Sequence, residues 1–168
     1  MDYEVKLIEK DAIEMAEDDE NLKTLKDKDN LVLASAFAML TQDSNVIDRW
    51  NVNYFNSGTG ELSNFLVKSD EVAFVETSKR IHDTEIRPLD VSNIAVSVTE
   101  ILSLADEKAG IEFPYEANKI FITLHHNGEY KNECWTITFF SKNLFLYKIK
   151  IDAITGDVVN SEMKHLLK

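Results

Sequence analysis

The chain holds one cysteine, two prolines and five glycines in 168 residues. With Cys134 alone, no disulfide can form within it, and a reducing compartment fits. So little Pro and Gly excludes a linker-like or collagen-like chain, and 44% apolar residues mark a folded domain. Long apolar runs are missing too. The longest, LVLASAFAML at 31–40, is too short to cross a bilayer. The opening MDYEVKLIEK has no basic start ahead of an apolar stretch, so the expectation is a cytoplasmic protein with no export signal.

Positive charge is scarce: 18 Lys and Arg stand against 30 Asp and Glu, a net charge of −12. Residues 1–85 carry 19 acids and 9 bases, residues 86–168 carry 11 and 9. A surface of this sign repels phosphate backbones and anionic membranes, so neither direct nucleic-acid binding nor membrane docking is expected. A protein partner is expected, and a homodimer contact stays open.

What is present reads best from Pro88 onward. Asp90 is placed as an N-cap, Leu89 and Ile94 flank it as a hydrophobic staple, and Ile94, Val98, Ile101, Leu102 and Ala105 recur at helical spacing. Gly110 is expected to close this helix, with Pro114 preventing continuation. Two β-rich runs then flank Asn127-Gly128, a strong hairpin signal. Trp135, Ile137 and Phe139 alternate with Thr136 and Thr138, and Tyr147, Ile149 and Ile151 alternate with Lys148 and Lys150. In IDAITGDVV, Asp152 is suited to bond the amides ahead of it and Gly156 to take positive φ, before a short return strand at Val158-Val159.

The first half reads in the same order. A helix with Val5, Ile8, Ala12, Met15 and Ala16 inward carries the acidic run EDDE on its outer side, and KDKDN breaks it. LVLASAFAML and WNVNYF follow as strands and LSNFLVKSDEVAF as the third strand with its turn, while NSGTGE reads as a hairpin turn. A shift of 85 aligns Trp50, Val52, Tyr54 and Phe55 with Trp135, Ile137, Phe139 and Phe140, and Phe37 and Met39 with Ile122 and Leu124. SDEVAFVETSKRIHDTEIRP, at 69–88, is open between a short helix and an edge strand. The boundary between the halves falls near 83–89.

A helix followed by an antiparallel sheet, with a W-T-I-T-F strand and the ending Y-K-I-K-I-D-A-I-T-G-D-V-V, resembles the PepSY domain family over residues 90–160. Residues 1–85 resemble a degenerate second copy lacking the Asp-Ala-x-Thr-Gly turn. The resemblance implies binding or inhibition of other proteins, peptidases among them, and no catalytic residues. The expected fold is therefore α+β: two similar units, 1–85 and 86–168, each a helix packed on a small antiparallel sheet.

Three candidate sites follow. His125, His126 and Cys134 offer thiol or zinc chemistry. A two-residue turn at Asn127-Gly128, however, pairs Cys134 near Phe121, about 13 Å along the strand from His125. No catalytic, metal or cofactor site is therefore expected. Glu17, Asp18, Asp19 and Glu20 could occupy a basic groove in the manner of a nucleic-acid mimic, against the simpler reading of a solvated helix face. Phe121 and Phe140 fall out of phase with Ile120 and Trp135, so they face away from the helices. Left uncovered, they form a partner surface, the leading expectation for function.

Overall fold

The computed structural model describes residues 2–28, 30–79, 86–126 and 130–167. The expected Asn127-Gly128 turn and residues 83–85 of the expected boundary near 83–89 lie outside the described residues.

Along the chain the elements are β1 (Glu4–Val5), α1 (Glu9–Glu17), α2 (Glu20–Lys28), β2 (Leu31–Thr41), β3 (Val46–Ile47), β4 (Arg49–Asn56), β5 (Glu61–Lys68) and β6 (Glu71–Lys79). They continue with α3 (Val98–Glu112), β7 (Ala117–His125), β8 (Cys134–Ser141), β9 (Phe145–Asp152) and β10 (Val158–His165). The α+β class is as expected. Eight strands form one antiparallel sheet in the order β10-β9-β8-β7-β2-β4-β5-β6, and β1 pairs with β3 separately. Each half of the chain supplies four adjacent strands, and β2 pairs with β7 at the seam. Of the stretch 69–88, residues 69–79 belong to the edge strand β6 and the turn before it.

The three α-helices among the described residues lie on one side. α1 packs on β4 and β5, α3 packs on β8 and β9, and α2 brings Lys26 Nζ 5.4 Å from the centre of the buried Tyr54 ring. The strand residues below them alternate as their sequence demands: Trp50, Val52, Tyr54, Trp135, Ile137, Phe139, Tyr147, Ile149 and Ile151 are all buried. On β2 the buried phase is Ala34, Ala36, Ala38 and Leu40. Small side chains there leave room for the two indoles from β4 and β8, whose ring centroids sit 6.2 Å apart.

Several local expectations are corrected. EDDE is the joint between two helices, not the outer side of one. Asp19 breaks away from α1 and accepts the amides of Asn21 and Leu22 through Oδ2 (3.0 and 3.3 Å), starting α2. Val5 belongs to β1, not to the first helix. Asp90 caps a single 3-10 turn at Val91–Asn93, whereas α3 starts at Val98, where Ser97 Oγ accepts the Glu100 amide. The staple residues Leu89 and Ile94 are buried as expected, but they seat this turn. Gly110 lies inside α3 and Phe113 ends it, just before Pro114. Phe37 and Met39 do not match Ile122 and Leu124, which are buried while Met39 is 46% exposed.

The IDAITGD turn forms as read and does more than reverse the chain. Asp152, 1% exposed, accepts the amides of Ile154 (2.8 Å) and Thr155 (3.0 Å) through Oδ1. Its Oδ2 accepts from Tyr130 Oη and Asn132 Nδ2, each at 2.8 Å. Burial pushes this carboxyl up, but the hydrogen bonds from Asn132, Tyr130, Thr155 and Ile154 outweigh it and hold it below the usual range. Gly156 takes φ +81, as such a turn requires. The Ala153 carbonyl then accepts both Ala95 and Val96 amides at 3.0 Å, fixing the segment that enters α3.

Candidate functional site: the open face of the sheet

Antiparallel partners point to the same side of a sheet, so the second face can be traced strand by strand. One row reads Glu162, Lys148, Thr138, Phe121 and Met39. The row beside it reads Asn160, Lys150, Thr136, Thr123, Phe37 and Asn51. None of the helices lies on this face among the described residues.

Phe121 and Phe140, expected to face away from the helices, do so. Their ring centroids are 4.8 Å apart, and Phe37 meets Phe121 edge-on at 5.5 Å. All three rings are half-buried, flanked by the exposed Met39. They form an apolar patch at the seam between the two halves of the sheet. Toward β5 the face turns polar, as Asn64 Nδ2 donates to Asn53 Oδ1 (2.7 Å) and Asn53 Nδ2 to Ser35 Oγ (3.1 Å). Toward β10 it sinks into a depression of about 380 Å³ lined by residues of β7 to β10, Lys148 and Lys150 among them. Sequence reading missed Phe37, because the shift of 85 placed it on the inner phase. The signal was available in the alternation of Ala34, Ala36 and Ala38 with larger residues.

His125 and Cys134 are nearer than expected. They are direct partners across β7 and β8, because β7 ends at His125 and β8 begins at Cys134. The pairing nevertheless does not activate the thiol. Burial pushes Cys134 up to about 11, and its Sγ donates to the Asn132 carbonyl (3.5 Å). Burial, and then the ammonium groups of Lys150 and Lys148, push His125 down to about 4, and its Nε2 bonds Thr136 Oγ1 at 2.8 Å. A protonated thiol beside a neutral imidazole is the reverse of a thiolate–imidazolium pair. His126 lies elsewhere, with Nδ1 3.3 Å from Glu133 Oε1. Among the described residues no three metal-ligating side chains converge.

The acidic run is largely engaged. Glu17 pairs with Lys26, Asp19 caps α2, and Glu20 lies 3.8 Å from Lys23. Asp18 is exposed. A larger concavity, about 870 Å³, opens at the C-terminal end of α3 over Phe113, Ile120 and Phe139. Its polar lining, including Asp106, Glu116 and Lys142, is exposed or half-exposed.

No family model and no curated protein matches this chain. A solved structure does. A candidate lipoprotein of Clostridium difficile 630 superposes with a TM-score of 0.58 at 18% identity, covering 98% of this chain and 96% of that one. At that identity the likeness concerns the fold alone.

Proposed function

We propose that the protein is a non-enzymatic binding or regulatory protein that engages another protein through the uncovered face of its sheet. The observation that carries this is the Phe37–Phe121–Phe140 cluster, half-exposed at the centre of a face that no described helix covers. Soluble domains seldom leave grouped aromatic rings in water without a use for them. The protonated state of Cys134 and the neutral state of His125 support the non-enzymatic part.

The architecture behind this reading is a pair of PepSY-like units. Trp50 and Trp135 each donate the indole N–H to a carbonyl two residues ahead of a helix, Leu7 O at 2.8 Å and Val96 O at 3.0 Å. In each half a single carbonyl accepts two successive amides of the segment entering the helix. Ile47 O takes Lys6 and Leu7, and Ala153 O takes Ala95 and Val96. Trp50 faces Val67 as Trp135 faces Ile151. The IDAITGDVV turn carries the family resemblance, and with it the role of binding proteins, peptidases included.

The test is capture of a partner by the intact protein, repeated with Phe121→Asp and Phe140→Asp variants whose circular dichroism matches the parent. Both substitutions should abolish capture. Capture retained by both would remove the face from consideration.

A further inference from the structure

We draw no further inference here: the strongest candidate, the half-exposed patch of Phe37, Phe121 and Phe140 at the seam of the open sheet face, belongs to the site already described, and nothing in the structure shows what covers it.

Discussion

The two halves of the sheet solve one problem with different sequences. Each must hold the strip of chain that leads into a helix above the sheet. In the second half the carbonyl comes from Ala153, inside a turn stiffened by Asp152 and Gly156. In the first half it comes from Ile47 in β3, and the corresponding turn between β5 and β6 is only Ser69 and Asp70. The starts of α1 and α3 differ in the same way. Ser97 caps α3 with its side chain, while Ile8, ahead of α1, has no side-chain cap. Instead Glu9, fully buried, reaches across and accepts the first amide of α3, Val98 N, at 3.4 Å through Oε2. A geometric requirement is met twice, and only one solution is written in a recognisable string.

The largest effect should come from what the halves share. Trp50→Ala and Trp135→Ala should each cost about 3–5 kcal/mol in urea unfolding, from lost burial and an orphaned carbonyl. A silent substitution at either site would show that the halves are not equivalent. Next comes what they do not share. Asp152→Asn should cost about 1–3 kcal/mol, because a buried acceptor of four hydrogen bonds is replaced. The exposed Asp70→Asn should change stability by less than about 0.5 kcal/mol. The folded-state pKa of Asp152 is depressed, so its contribution is present above the unfolded value, about 3.9, and is lost as pH falls through the folded value. The gap between wild type and Asp152→Asn should therefore close in acid.

A smaller effect contrasts two glycines. Gly156→Ala should cost about 1–2 kcal/mol, since φ is +81 while the nearest atom to a new Cβ, on Val96, is at an ordinary 3.5 Å. Gly110→Ala, at negative φ in a helix with open space around it, should stabilise by up to about 1 kcal/mol. Thermal melts of the pair read the difference in sign. The smallest effect is at Glu9, whose carboxyl is raised chiefly by burial, against the lowering influence of the Glu9 and Val98 amides. A raised acid destabilises the fold above its folded pKa and ceases to do so below the unfolded value, about 4.3. Glu9→Gln should therefore gain most over wild type at neutral pH and above, with the gain fading as pH falls toward that value.

Strand identity and facing were legible in the sequence because alternation is a local pattern and one face is buried. Trp135, Ile137 and Phe139, and the outward Phe121 and Phe140, needed no knowledge of the rest of the chain. The Asp152 turn was legible because its bonds to the Ile154 and Thr155 amides stay within three residues, whereas the bonds from Tyr130 and Asn132 were not legible. What failed depended on competing or distant contacts. Asp90 carries a good capping signal, but Ala153 pulls residues 95 and 96 out of helical geometry and delays α3 to Val98. Asp19 was read as one more charge on a helix when it starts the next one. The pairing of Cys134 with His125 depended on the length of a connection that a strong dipeptide signal concealed. The depression on the open face gathers residues from β7 to β10, and no single segment announces it.

The seam between β2 and β7 joins residues nearly half the chain apart, whereas every other ladder in the large sheet links strands that are close in sequence. Local hairpins close quickly and distant pairings slowly, so this ladder should be the last part of the sheet to assemble during folding. Until it does, two adhesive strand edges stand bare, and crowding or high expression at that moment would favour one molecule's β2 finding another's β7.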